Sequence, residues 1–209
     1  MNHALITNRN YVLRQILNSD ENTDIIKDII EAFLNIKIQR IILNTYLDKS
    51  YLPSDDKFGI ADVRIKTEKN IEYNIGMQFL NGKYIQTKIA LYYLYIHTNQ
   101  ICYNDRRKIA KTITINFMDF PYYKSFGYHK RLILNKFKEI DFSEAEAETH
   151  IIELERFNTL DQKNMTKEEQ WITYLKGSNK EGIKKSIKEN IYIRKLDELI
   201  NKYWEEEKI

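Results

Sequence analysis

The chain has 209 residues, 43% hydrophobic and 30% charged, with a net charge of +3, a pI near 8.7 and a mean hydropathy of -0.57, which suits one domain with its own core and permits a nucleic-acid partner without pointing to one. A single cysteine, Cys102, excludes an intrachain disulfide and a cysteine-cluster zinc site, and nothing around it signals an activated thiolate. No run of about 18 apolar residues is present to span a membrane, and the opening MNHALITNRN lacks the apolar core of a signal peptide, so a reducing, cytoplasmic setting is expected.

In chain order, residues 8–18 carry apolar residues at 12, 13, 16 and 17, a helical spacing. Residues 22–35 predict a stronger helix, with Ile25, Ile26, Ile29, Ile30, Phe33 and Leu34 on one stripe, Asn22 or Thr23 as cap and Asp24 in the first turn. Residues 38–46 are β-rich, and 48–57 form a loop held open by Pro53. Two strands follow, 60–66 and 71–80, around a turn at Asn70. Alternation puts Asp62, Arg64 and Lys66 on one side of the first, and Glu72, Asn74, Gly76 and Gln78 on one side of the second. Val63, Ile65, Ile71, Tyr73, Ile75, Met77 and Phe79 fill the opposite sides, the pattern of a hairpin with one wet face.

Residues 84–100 are long enough for a helix against the sheet. There Tyr92, Tyr93 and Tyr95 fit core positions better than base-stacking platforms. A basic turn spans 104–111, strands follow at 112–120, 126–135 and 150–157, and an acidic excursion fills 138–148. Three charged helices close the chain: 165–176, opened by the capping-box pattern Thr166–Glu169, then 180–189 and 190–208, with breaks near Gly177 and Gly182. Trp171 and Trp204 anchor them, while His3, His97, His129 and His150 show no metal spacing. The order α-α-β-β-β-α-β-β-β-α-α-α predicts an α/β domain, or α+β, with a mixed sheet between helices. We divide it into a domain at 1–160 and a helical extension at 161–209 that packs on it or follows it.

Several phrases together resemble the recombination-promoting nuclease and transposase family of the PD-(D/E)XK superfamily. They are Asn10 to Leu17, Glu31 to Asn35, Asp56 to Arg64 (DKFGIADVR), Asn74 to Gln78 (NIGMQ), Ala90 to Tyr93, Gln100, Ile115 to Phe120, Ile151 to Phe157 and the helix of Trp171. Each is weak alone, but they run in order over nearly the whole chain, and family members usually continue past this C-terminus. The resemblance implies a restriction-endonuclease-like fold and hydrolysis of double-stranded DNA with Mg²⁺ or Mn²⁺. In that scheme Asp62 and a carboxylate at position 76 hold the ion, the Met77 carbonyl adds a ligand, and Gln78, commonly a lysine, orients the attacking water.

This chain departs from the family at one chemical position, where Gly76 stands for glutamate. The loss of one charged ligand implies a fall in activity by orders of magnitude. Three readings stay open: a copy that has lost hydrolysis, a site completed by another carboxylate, or a substitution introduced by design. Glu72 lies about 13 Å away along the strand, too far, which leaves Glu31, Asp55 and Asp56 as substitutes. For contact with the DNA backbone the resemblance points to Lys57, Arg64, Lys88, Arg106, Arg107 and Lys108, each of which is otherwise a solvated cation. A homodimer is allowed by analogy, and a non-catalytic binding module on the nuclease fold is the alternative function.

Overall fold

Seven uncharged residues in a row after Lys111 make Lys111–Met118 (β4) a strand that must be covered on both faces, and the sheet is built around it. A computed structural model describes residues 12–43, 61–69, 71–80, 84–103, 110–122, 127–134, 147–158 and 164–206. The strands are Ile38–Leu43 (β1), Ala61–Thr67 (β2), Glu72–Leu80 (β3), β4, His129–Leu134 (β5) and Ala147–Glu153 (β6), in the order β1-β2-β3-β4-β6-β5. β1, β2 and β3 form an antiparallel meander. The helix Ile85–Tyr103 (α3) then returns the chain so that β4 runs parallel to β3, as a crossover of that length allows. β6 is parallel to β4, and β5 closes the edge antiparallel to β6. The predicted mixed α/β sheet is thus present, with two boundaries corrected. The third late strand starts at Ala147 rather than His150, because Glu148 finds partners on both neighbouring strands, and it ends in a short 3-10 turn at Leu154–Arg156. Lys111 belongs to β4 rather than to a basic turn.

One face of the sheet carries Val63, Ile65, Ile75, Met77, Ile113, Ile115, Phe117 and Ile152, all buried. They share a core with residues 12–17 (α1), Thr23–Leu34 (α2), Lys167–Lys176 (α4) and Ile191–Glu206 (α6). The other face of β3 and β4 lies under α3, where Ile85, Met118 and Ile151 form a smaller cluster.

The helix ends follow local chemistry. α2 stops at Asn35, whose φ of 50° is the left-handed conformation asparagine tolerates. Its expected cap is absent, because the Asn22 side chain turns back to the Ile16 carbonyl at 2.9 Å. The capping box of α4 is formed in both directions, Glu169 N to Thr166 Oγ1 at 3.2 Å and Thr166 N to Glu169 Oε2 at 2.8 Å, and the helix ends at Gly177 with φ 72°. Gly182 does not break a helix. It lies inside Lys180–Glu189 (α5), where a Cβ would stand 2.8 Å from Thr173 Cγ2, so glycine lets α5 pack close on α4.

Asp28 on α2 ties the C-terminal helices down. It is 2% exposed and accepts from Trp171 Nε1 at 2.8 Å and Asn190 Nδ2 at 3.1 Å, with Lys167 Nζ at 2.6 Å. Three donors offset the desolvation of one buried carboxylate.

Candidate active site

The antiparallel register of β2 and β3 sets Asp62 directly opposite Gly76, with Arg64 opposite Asn74 and Lys66 opposite Glu72. The row continues across the sheet from Gly76 to Thr114, Thr149 and Leu132. Gln78 is the next residue of β3 on that face and lies beside Asn116. Positions 62, 76 and 78 therefore meet on adjacent strands. The backbone of Asp62 is described, while its side chain lies outside the described part.

The β3 half of this face is dry. Gln78 is 2% exposed, and its Nε2 donates to Asn116 Oδ1 at 2.6 Å. Asn116 Nδ2 donates to the His150 carbonyl at 3.0 Å and to Thr114 Oγ1 at 3.1 Å, and Thr114 Oγ1 shares a proton with Thr149 Oγ1 at 3.1 Å. These amide orientations follow from the network itself. The result is a neutral polar ladder, satisfied by its own members.

α3 closes the space over Gly76. Tyr92 is 1% exposed, and its hydroxyl donates to the Met77 carbonyl at 3.1 Å. An ideal Cβ on residue 76 would lie 2.7 Å from Tyr92 Oη, 2.8 Å from Tyr92 Cζ and 2.9 Å from Ile96 Cδ1. These distances are far inside carbon contact. Gly76 is here for close approach, the meaning glycine commonly has within a strand.

A divalent ion of the kind implied by the resemblance needs several hard oxygen ligands. The β3 side does not offer them: residue 76 brings none, the Met77 carbonyl accepts the Tyr92 hydroxyl, and the Gln78 amide is engaged with Asn116. Among the described residues no group of three or more His, Cys, Asp or Glu is placed to hold a metal. The described residues do not fit the ion.

Of the proposed substitute carboxylates, Glu31 is on α2, on the opposite face of the sheet. Its Oε1 accepts from the Ile38 amide at 2.9 Å, and Lys37 lies 3.6 Å from Oε2. Asp55 and Asp56 lie outside the described residues, as do Lys57, Arg106, Arg107 and Lys108. Arg64 is half-buried on β2, and Lys88 is half-buried on α3. The register brings Arg40 on β1 opposite Lys66 on β2, on the same side as Arg64.

A second polar cluster lies on the other side of the sheet. Glu148 takes hydrogen bonds from Arg131 Nε and Nη2, the latter at 3.0 Å, from Lys111 Nζ at 2.6 Å and from His150 Nε2 at 2.8 Å. His150 Nδ1 meets His129 Nε2 at 2.8 Å, and His129 Nδ1 meets Glu168 Oε1 of α4 at 2.8 Å. Burial pushes the Glu148 carboxyl up, but its three donors outweigh that and hold it at about 2. Burial lowers the pKa of His150. The available sequence signal was Glu148 and His150 alternating onto one face of a strand. Along the sequence the four histidines show no metal spacing, and nothing local pairs His129 with His150.

No curated protein and no solved structure matches this chain. A family model does, over residues 8–209, and it describes a PD-(D/E)XK nuclease family transposase. That span holds the strand pair of Asp62 and Gly76, the crossover helix over it and the sheet that supports both, and it shows that the chain belongs to the PD-(D/E)XK nuclease family transposases.

Proposed function

We propose that this chain binds double-stranded DNA on a nuclease fold and that its metal-dependent hydrolysis is disabled at position 76. The observation that carries the reading is the Asp62–Gly76 register pair: the strand geometry of the family motif is kept, while the carboxylate opposite Asp62 is gone. The outer half of the same face supports the DNA partner. There Arg40, Arg64 and Lys66 lie on β1 and β2, while α3 packs on β3 and β4. Cations on a sheet beside a phosphodiester site suit backbone contact, which is independent of sequence and weakened by salt.

The test combines two assays on the purified protein. Supercoiled plasmid with Mg²⁺ or Mn²⁺ should remain uncut. A labelled duplex should bind without metal, with affinity falling steeply as salt rises. Nicked product that depends on Mg²⁺ and disappears in Asp62→Ala would overturn the loss of hydrolysis. Absence of duplex binding at low salt would overturn the DNA partner.

A further inference from the structure

We infer that Tyr92 has taken over the space of the missing carboxylate and the backbone contact of the ion, so that residues 76 and 92 form a coupled pair and the metal site cannot be regained by a change at 76 alone. This rests on the proposed loss of hydrolysis and gives it a cause beyond one absent ligand.

Two independent contacts support it. The first is steric. A methyl group on residue 76 would press on Tyr92 Oη at 2.7 Å and on Cζ at 2.8 Å. Cζ is a ring atom, so relief requires moving the whole ring and not a flexible tip. Ile96 blocks a second direction at 2.9 Å and lies one helical turn further along α3. Both side chains are at most 2% exposed, so neither can swing into solvent without leaving the core. The second contact is polar. A buried phenol must place its hydrogen, and Tyr92 places it on the Met77 carbonyl at 3.1 Å. That carbonyl is the backbone oxygen which the resemblance gives to the ion. One tyrosine thus covers both ligand positions expected on β3.

The experiment is a double-substitution cycle read by thermal unfolding and by metal binding. Gly76→Ala alone should lower Tm by about 5 °C through overpacking. Tyr92→Leu removes both close atoms and keeps apolar bulk. In that background Gly76→Ala should cost less than half as much, the remainder coming from Ile96. Equal losses in the two backgrounds would overturn the coupling and give Gly76 some other cause. If Tyr92→Leu does not fold, Tyr92→Phe serves, and the cost of Gly76→Ala should then shrink without vanishing, since Cζ and Ile96 remain. An undiminished cost in the Phe background counts against the pair. For the chemistry, Mn²⁺ titrated calorimetrically should bind Gly76→Glu/Tyr92→Leu at least tenfold more tightly than Gly76→Glu. Equal Mn²⁺ affinity in both would refute the claim that Tyr92 blocks the site. Plasmid cleavage by the unaltered chain would sink the proposed function and leave the Tm cycle readable by itself.

Discussion

Two regions of this sheet treat charge in opposite ways. On the face shared with α1, α2, α4 and α6, buried carboxylates are kept and answered: Asp28 by Trp171, Asn190 and Lys167, and Glu148 by Arg131, Lys111 and His150. Around Gly76, under α3, the buried polar groups are neutral amides and hydroxyls that satisfy one another. A carboxylate survives in a core only where donors converge on it. Among the described residues none is aimed at position 76, and the nearest hydroxyl there gives its proton to a carbonyl.

The comparison can be broken by removing a charge from the first face. Asp28→Ala should cost about 4 kcal/mol in urea unfolding, because it strands a buried indole N–H and an amide together. A loss below about 1 kcal/mol would mean that the carboxylate is not the anchor of the C-terminal helices. On the second face, Asn116→Ala removes the acceptor of Gln78 and the donor to the His150 carbonyl. It should cost about 3 kcal/mol, the sum of a small cavity and unpaired polar groups.

Glu148→Gln should cost about 2 kcal/mol at neutral pH, since its donors keep a weaker acceptor. It also carries a pH signature. The Glu148 carboxyl, ordinarily near 4.5, is held at about 2 in the fold, so its stabilisation is complete above pH 4.5 and is lost as pH falls toward 2. Urea midpoints measured across that window should drop in the parent and lose this component in the variant. The depressed pKa of His150 works in the same direction at higher pH: the unfolded chain takes up a proton as pH falls through 6.5, and the folded chain resists it. The smallest effect should come from the outer side of α3. Leu91 is 50% exposed, and Leu91→Lys should shift stability by less than about 0.5 kcal/mol.

Much of this was written in residue periodicity. Alternation over 60–66 and 71–80 gave the strand pair, with Asp62 on the polar side of one strand and Gly76 and Gln78 on the polar side of the other, and the observed register adds that Asp62 stands opposite Gly76. Thr166 and Glu169 announced their helix because a capping box is a local device, made within four residues. What stayed hidden depends on residues far apart in sequence. Tyr92 could be read as core from its apolar neighbours, but its position over residue 76 depends on how α3 lies across β3, which no local pattern fixes. His129 and His150 look unrelated along the chain and touch only because β5 and β6 are neighbours. Gly182 shows the converse: glycine read as a break is a packing notch within α5.

The Asp28 anchor has a consequence for how the molecule is made. Its partners Trp171 and Asn190 lie 143 and 162 residues further along the chain. Contacts of such separation are reached late, after most loop-closure entropy has been met. During synthesis the apolar stripe of α2 must therefore wait, uncovered, until α4 and α6 have emerged. At ordinary elongation rates of about 5–20 residues per second that wait lasts on the order of ten seconds. In that interval the nascent chain is a natural client for a chaperone.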